Sequence, residues 1–412
     1  MIINPSKLTG EISAIPSKSY AHRALICGGL ARGKSKIYFD RTSKDIEATI
    51  DCLKELGADI LKFDGGVEVS GIEKKDGVPY INPGESGSTF RFILPLATFF
   101  YDRCRFTGEG RLPYRPIKDL LDLMKDHGVS FSADKLPFVS KGKIKAGDYM
   151  IRGDVSSQYI TGLLFLAPLF DEACKIILTS KLESKSYVDI SLDVMEKFGI
   201  KVEEEIYGYE VSGQTYSPCD YKVEGDWSNA AFFLAAGALD NEITLRGLNT
   251  NSKQGDMKIV DVLKNYGADV RVTEDSVRVR SDKRRHIDVN LEDVPDMLPA
   301  LSILAAGAKG RSSFYNGKRL RLKESDRLST TAEMIRALGG QVEEREDCLV
   351  IYGKGGLRGG VVDSHNDHRI VMAASLASVI SDDKIYLTGE RAVEKSYPEF
   401  FKDFKKLGGS LE

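Results

Sequence analysis

Apolar residues at helical spacing run up to a glycine six times along this chain. The segments are Leu53-Lys-Glu-Leu-Gly57, Met124-Lys-Asp-His-Gly128, Met195-Glu-Lys-Phe-Gly199, Leu263-Lys-Asn-Tyr-Gly267, Ile335-Arg-Ala-Leu-Gly339 and Phe404-Lys-Lys-Leu-Gly408. Each reads as the end of an amphipathic surface helix closed by a left-handed glycine. Short alternating stretches such as Ala58-Asp-Ile-Leu and Ala268-Asp-Val-Arg-Val follow most of them and predict strands. The glycines are spaced by 71, 71, 68, 72 and 69 residues. That period exceeds the 20–50 residues of solenoid repeats, so each repeat is expected to be a small α/β subdomain.

A second series shares the period. Polar residues that suit helix N-caps stand at Ser17, Ser86, Ser156, Asp226, Asp296 and Asn366, with gaps of 69, 70, 70, 70 and 70. The helices predicted after them, such as Tyr20-Ala-His-Arg-Ala-Leu-Ile, Ala230-Ala-Phe-Phe-Leu-Ala-Ala and Ile370-Val-Met-Ala-Ala-Ser-Leu, are apolar nearly all round and should be buried. Pro95 and Pro299 fall inside two of them and are expected to kink or shorten them. The last repeat has no room for a strand after Gly408, and the first fifteen residues, which contain Glu11-Ile-Ser-Ala-Ile15, are the candidate to supply it. Six repeats can form one array or two globules of three, and ordinary domain size favours two. The expected domains are 1–15 with 225–412, and 16–224. The expected fold class is α/β, with two similar domains and a sixfold internal repeat.

Composition narrows the field. The chain has 412 residues, 42% hydrophobic and 29% charged, with a net charge of −3. These values fit a globular protein and give no bulk attraction to nucleic acid or membrane. No apolar run reaches the length of a membrane span or a signal-peptide core. The cysteines at 27, 52, 104, 174, 219 and 348 lack paired spacing, which suits scattered thiols in a reducing cytoplasm. The five histidines show no metal-ligand spacing, and no metal or organic cofactor is expected.

The candidate chemistry lies beside the second series. If the three repeats of a domain are related by approximate threefold symmetry, their buried helices point their N-termini the same way. Two such domains facing each other would line a cleft with positive helix ends and free N–H groups, suited to phosphate and carboxylate. Capping explains any one of these residues. It does not explain why Lys18, Arg23, Arg91, Asp296 and Arg369 occupy the same turns, where a buried charge is costly without a partner. The segments are Pro16-Ser-Lys-Ser-Tyr-Ala-His-Arg23, Gly84-Glu-Ser-Gly-Ser-Thr-Phe-Arg91, Arg111-Leu-Pro-Tyr-Arg115-Pro116, Gly153-Asp-Val-Ser-Ser-Gln158, Lys323-Glu-Ser-Asp-Arg327, Asn366-Asp-His-Arg369 and Lys395. Lys323 and Arg327 read as i and i+4 on one helix face. Gly28-Gly-Leu-Ala-Arg-Gly-Lys-Ser35 matches the phosphate-loop pattern, but a helix pattern precedes it and a strand pattern follows. That reverses the order the motif needs, so nucleotide hydrolysis is disfavoured.

Across the whole chain these residues resemble the EPSP synthase (3-phosphoshikimate 1-carboxyvinyltransferase) family of enolpyruvyl transferases. The resemblance rests on Pro-Ser-Lys-Ser-x-x-x-Arg at 16–23, Arg-Pro-Ile at 115–117, Ser-Ser-Gln at 156–158 and Ser-Lys-x-Tyr at 184–187. It extends to Val223-Glu-Gly-Asp226, Pro295-Asp296, Lys323-Glu-Ser-Asp-Arg327, Asn366-Asp-His-Arg369 and Lys395. It implies two domains, each of three βαβαββ units in an inside-out α/β barrel. It also implies transfer of the enolpyruvyl group of phosphoenolpyruvate to the 5-hydroxyl of shikimate 3-phosphate. By resemblance, Lys18, Ser19, Arg23, Ser156, Ser157, Ser184, Tyr187, Asp296 and Lys323 hold shikimate 3-phosphate. Lys18, Gly87, Arg115, Gln158, Arg327, Arg369 and Lys395 surround phosphoenolpyruvate. Asp296 is the implied proton acceptor, with Glu324 and Lys18 as candidates for proton transfer at C3. The expected partners are these two small molecules alone, for a cytoplasmic monomer.

Two positions depart from the family pattern. Gly84-Glu85-Ser86-Gly87-Ser88 stands where Gly-Asn-x-Gly-Thr is frequent, and a glutamate beside a phosphate must be turned away or paired. Arg319 stands where Asn is frequent, four residues before Lys323, as a substrate contact to be tested. The sister transferase acting on UDP-N-acetylglucosamine is the close alternative. It generally carries a reactive cysteine on a loop where this chain has Arg111-Leu-Pro-Tyr-Arg115. A non-catalytic phosphometabolite-binding protein would use the same cations without needing Asp296 and Glu324.

Overall fold

A computed structural model describes residues 1–239 and 241–412. The chain divides into two compact units, residues 18–223 and residues 1–17 with 224–412. We call them the inserted unit and the terminal unit. Each has its own apolar core. Among the described residues no helix is long and apolar enough to cross a membrane.

The inserted unit holds six α-helices: α1 (Lys18–Leu30), α2 (Lys44–Leu56), α3 (Gly87–Phe100), α4 (Lys118–Asp126), α5 (Ser157–Leu166) and α6 (Lys185–Lys197). The apolar-all-round sequences become α1, α3 and α5, which are buried. Amphipathic α2 buries Ile46, Ile50, Leu53 and Leu56 on one stripe, the i, i+4, i+7 spacing of a half-exposed helix. Ser43 caps its start, and Gly57 closes it at φ 110°. A Cβ at Gly57 would sit 2.1 Å from the Glu73 carbonyl oxygen. The other five helix-ending glycines also take positive φ. Pro95 lies within α3, which runs on unbroken past it.

Three four-stranded sheets accompany these helices, in the orders 221–222/34–38/66–70/59–63, 80–81/103–106/138–141/130–131 and 148–151/174–178/208–211/203–205. In each the first pair is parallel and the next two are antiparallel. Helix α1 ends at Leu30 and the strand Lys34–Tyr38 follows. The phosphate-loop look-alike is therefore a helix end and a turn.

The terminal unit holds α7 (Trp227–Gly237), α8 (Ile259–Tyr266), α9 (Leu298–Gly307), α10 (Arg327–Ala337), α11 (His368–Ala377) and α12 (Phe400–Lys406). Every residue of α9 and α11 is buried. Pro299 falls in the first turn of α9, where its missing N–H costs nothing. The first fifteen residues join this unit's sheets at two places. Thr9–Ser13, which includes most of Glu11–Ile15, pairs in parallel with Glu242–Arg246 in this unit's first sheet. The last sheet is completed by Ile2–Ile3, also within the first fifteen residues, antiparallel to Ile385–Thr388, with Leu411 bridging Ile3. Ile12 points its side chain into the core and its neighbours face out, so this alternation suits a sheet edge lying over buried helices.

Candidate functional site

The N-terminal turns of α1, α3 and α5 gather most of the inserted unit's candidates. Ser86 and Ser156 cap α3 and α5 with their side-chain oxygens, accepting from the Thr89 and Gln158 N–H groups. Ser17 donates its hydroxyl to Gln254 of its own, terminal unit.

Arg23 is buried in the inserted unit, and all of its bonds go to neutral oxygens. Nε donates to Ser191 Oγ (2.8 Å), Nη1 to the Ser19 carbonyl (2.8 Å) and Nη2 to the Tyr187 carbonyl (2.7 Å). The guanidinium also lies 5.1 Å above the Phe92 ring. Burial lowers its pKa to about 10, which leaves it charged at neutral pH. A buried cation held only by neutral groups is stabilised by an anion. Lys18 pairs with Asp45 at 2.8 Å. Ser157 opens α5, and Ser184 takes a left-handed conformation (φ 54°) just before α6.

A second knot forms where α3 crosses α5. At Gly162 a Cβ would stand 2.4 Å from the Arg91 carbonyl oxygen, so only glycine lets the helices approach this closely. Arg91 then donates to Gln158 Oε1 (2.7 Å) and the Pro116 carbonyl (2.9 Å). Gln158 in turn donates to Ser88 Oγ (2.8 Å). A Cβ at Gly87 would meet Arg115 Nη1 at 2.5 Å and Arg91 Nη1 at 2.7 Å. Gly87, Arg115 and Gln158 are thus brought together, with Arg91 and Ser88 added. Glu85 is turned onto Gly110, where a Cβ would lie 2.3 Å from its Oε2.

The terminal unit carries the densest charge cluster. Asp296 does not cap a helix. It sits in the 3-10 turn Pro295–Met297, and α9 starts beyond it at Leu298. The proline in that first turn shifts the helix start, and the carboxylate takes ionic partners instead. Asp296 Oδ1 receives Arg327 Nη1 at 2.7 Å and Lys323 Nζ at 3.3 Å, and Oδ2 receives Arg369 Nη2 at 3.2 Å. Lys323 and Arg327 do not share a helix. Lys323 ends the 3-10 helix Lys318–Leu322 and Arg327 begins α10 under the Asp326 cap. They converge on Asp296 from two elements.

Arg327, with only 1% of its side chain exposed, binds two more carboxylates. Nη2 donates to Glu324 Oε2 at 2.6 Å and Nε to Asp367 Oδ2 at 3.0 Å. Asp367, not Asn366, caps α11 by accepting the Arg369 N–H at 2.9 Å. Asn366 takes φ 55° and offers its carbonyl to Lys395 Nζ at 2.6 Å. Arg319 lies in the 3-10 helix, close enough to Lys323 to repel its charge.

Burial pushes the Asp296 pKa up, but Arg369, Lys323 and Arg327 outweigh it and hold the carboxylate well below its usual range. Burial lowers the pKa of Lys323, and Asp296 opposes that shift. Burial also disfavours the charged form of Arg327, but Asp367, Glu324 and Asp296 more than offset it and raise its pKa. The cluster is an ionised lattice around one carboxylate that a stronger anion can compete for.

Sequence reading missed Ser191, Ser228, Asp45 and the capping role of Asp367. Ser228 accepts Arg369 Nη2 at 2.8 Å, yet no local pattern distinguishes it. Asp367 stood within a quoted segment, one residue from the assigned cap. The inserted unit also has a cavity of about 960 Å³, lined by Gly29–Ala31, Phe99, Phe100 and Pro168–Phe170. It lies at the C-terminal ends of α1 and α3 and beyond α5, away from the gathered cations at their N-termini.

A family model described as EPSP synthase (3-phosphoshikimate 1-carboxyvinyltransferase) matches residues 2–404. The chain belongs to the EPSP synthase family. The 3-phosphoshikimate 1-carboxyvinyltransferase of Clostridium kluyveri is 43% identical over 418 residues, covering 100% of this chain and 97% of the relative. That of Clostridioides difficile is 39% identical, covering 100% and 98%. The solved EPSP synthase of Acinetobacter baumannii superposes with a TM-score of 0.83 at 22% identity, covering 100% of this chain and 99% of that one. This likeness bears on fold alone, and it places the chain with the mixed α/β, two-domain architecture of EPSP synthases.

Proposed function

We propose that this chain transfers the enolpyruvyl group of phosphoenolpyruvate to the 5-hydroxyl of shikimate 3-phosphate and releases phosphate, within aromatic amino acid biosynthesis. Membership of the EPSP synthase family supports the reaction. The observation that carries its mechanism is Asp296, an ionised carboxylate held by Arg327, Arg369 and Lys323 with Glu324 at the same guanidinium.

In this reading Lys18, Ser19, Arg23, Ser156, Ser157, Ser184, Tyr187, Asp296, Arg319 and Lys323 bind shikimate 3-phosphate. Lys18, Gly87, Arg115, Gln158, Arg327, Arg369 and Lys395 bind phosphoenolpyruvate. Both substrates carry a phosphate and a carboxylate, matched by guanidinium groups that bind such anions in bidentate fashion. Asp296 is a weak base while three cations hold it. An arriving anion that draws Arg369 and Lys323 towards itself relieves that hold and raises the basicity of Asp296. Asp296 then takes the proton of the 5-hydroxyl as its oxygen attacks C2, while C3 gains a proton by way of Glu324 or Lys18. Loss of a C3 proton and departure of phosphate complete the reaction, the cations stabilising charge as it moves onto the leaving group. The two units act as the two domains, and their sheets and buried helices are six copies of a βαβαββ unit. The chain works as a monomer in the cytoplasm.

Phosphate release from phosphoenolpyruvate, measured with each acceptor, tests this. Release is expected with shikimate 3-phosphate. Release with UDP-N-acetylglucosamine alone would overturn the reading in favour of the sister transferase. Tight binding with no release would make the chain a phosphometabolite-binding protein.

A further inference from the structure

A chain of four buried side chains joins α1, α2 and α3 in the inserted unit, and the reaction described above uses none of them. His22 Nδ1 lies 2.7 Å from Thr49 Oγ1, Thr49 Oγ1 lies 2.6 Å from Thr89 Oγ1, and Thr89 Oγ1 donates to Ser86 Oγ at 2.8 Å. All four residues are at most 1% exposed.

Proton counting gives this chain a direction. Each hydroxyl has one proton to give. That of Thr89 goes to Ser86, so the short Thr49–Thr89 contact uses the proton of Thr49. The contact between His22 and Thr49 then uses an Nδ1–H of His22. The Asp45 carbonyl lies 3.4 Å from both threonine hydroxyls and is a weaker acceptor than the partners in the chain. The ring fits this tautomer. Nε2 is enclosed with no hydrogen-bond partner among the described residues, and a bare lone pair there costs less than an orphaned N–H. Burial, with Lys18 and Arg23 nearby, holds the imidazole well below the usual histidine pKa and keeps it neutral.

The chain ends at the helix start that carries Gly87. Ser86 Oγ receives the Thr89 hydroxyl and, at 3.2 Å, the Thr89 N–H of the cap. Both of its lone pairs are taken, and its own proton has no acceptor among the described residues. Next to it, a Cβ on Gly87 would meet Arg115 Nη1 at 2.5 Å, and Arg115 Nε is likewise enclosed without a partner. A hydroxyl and a guanidinium that lack acceptors at one turn are completed by an anion. We propose that His22 is a positioning residue: acting through Thr49 and Thr89, it turns Ser86 into a hydrogen-bond donor toward the anion received at the start of α3. That anion is the phosphoenolpyruvate of the function proposed above, on which this inference rests. With the chain reversed, Ser86 would spend its proton on Thr89, and His22 would be left with an orphaned Nε2–H.

Histidine ¹⁵N NMR of the full-length wild-type protein reads the tautomer directly, with His22→Gln assigning the signal. His22 should be the neutral Nδ1–H form at about pH 7, with or without substrates. An Nε2–H or doubly protonated ring overturns the inference. Kinetics test the far end of the chain. Ser86→Ala removes the donor and should raise the KM for phosphoenolpyruvate about tenfold, the scale of one hydrogen bond to a charged group. Thr49→Val breaks the chain away from the ligand and should raise the same KM several-fold with kcat nearly unchanged, and Thr49→Ser should restore it. In a Ser86→Ala background Thr49→Val should add nothing, because no hydroxyl remains to be directed. A purely structural threonine would add its full effect in that background and so defeat the proposal, as would a wild-type KM in Thr49→Val. If the protein does not turn over phosphoenolpyruvate at all, the proposed reaction falls, and the tautomer alone decides the chain: Nδ1–H retains it and Nε2–H discards it.

Discussion

Two buried arginines show how the same side chain serves different ends. Arg23 is held by a hydroxyl and two carbonyls, and Arg327 by three carboxylates. The first has charge to spare for a ligand; the second is neutralised by its surroundings. Replacing Arg327 with Met leaves Asp296, Glu324 and Asp367 facing each other in a poorly solvated site. Unpairing a buried ion costs about 3–5 kcal/mol, so urea unfolding should show a loss of that size, and loss below about 1 kcal/mol would mean that the carboxylates find other partners. Asp296→Asn is a milder change of the same cluster. It keeps the shape and one acceptor oxygen but replaces the other with an NH2 group and removes the basic carboxylate. Substrate KM values should hardly change, while turnover falls by at least ~10²-fold, the scale of one acid–base group. Wild-type turnover in this variant would remove Asp296 from the mechanism.

At the scale of elements, glycine separates stability from function. Gly57 ends α2 at φ 110°, and a Cβ there meets the Glu73 carbonyl. Gly57→Ala should lower stability by about 1–3 kcal/mol through backbone strain with both KM values unchanged, since α2 ends far from the gathered cations. Gly162 is different, because its missing Cβ is what brings α5 against Arg91. Gly162→Ala should destabilise by a similar ~1–3 kcal/mol from overpacking and also raise the KM for phosphoenolpyruvate, as Arg91 is pushed off Gln158. An unchanged KM in a folded Gly162→Ala protein would contradict that link.

This contrast also shows what the sequence made legible. Surface helices announced themselves through apolar stripes and a terminal glycine, because both signals are local. Buried helices announced themselves by being apolar all round. Caps were harder: Ser86, Ser156 and Asp226 cap as expected, but Pro299 displaced the start of α9 and left Asp296 free for ion pairing. Asp367 displaced Asn366 because the asparagine takes a left-handed turn ahead of α11. The pairing of Thr9–Ser13 with Glu242–Arg246 joins residues over two hundred positions apart, and alternation alone gives no partner. Spacing groups Lys323 and Arg327 on one helix face, but they lie on two elements, and it is Asp296, about thirty residues before them, that brings them together.

Across the whole molecule, the two units keep their charges differently, and this predicts unequal sensitivity to acid. The terminal unit's cluster depends on ionised Asp296 and Asp367. Asp367 is buried and Asp296 half-buried, yet Arg369, Lys323 and Arg327 hold Asp296 below its usual pKa, and Arg327 and His368 hold Asp367 below its own. A carboxylate whose folded pKa is depressed adds stability that is full above the unfolded value, near 3.9, and is lost as pH falls through the folded one. The Arg23 site in the inserted unit draws on a hydroxyl and backbone carbonyls, which do not titrate there. Amide exchange followed from about pH 4.5 to about pH 2.5, corrected for intrinsic rates, should therefore show α9, α10 and α11 losing protection before α1, α3 and α5. Asp256, another buried acid of the terminal unit, acts in the opposite sense. Its raised pKa favours folding most below the unfolded value and fades as pH rises through about 6, so it neither causes nor masks a loss below pH 4. Simultaneous loss of protection in both units would show that they unfold as one cooperative body and that the carboxylate cluster does not set the acid limit of its own unit.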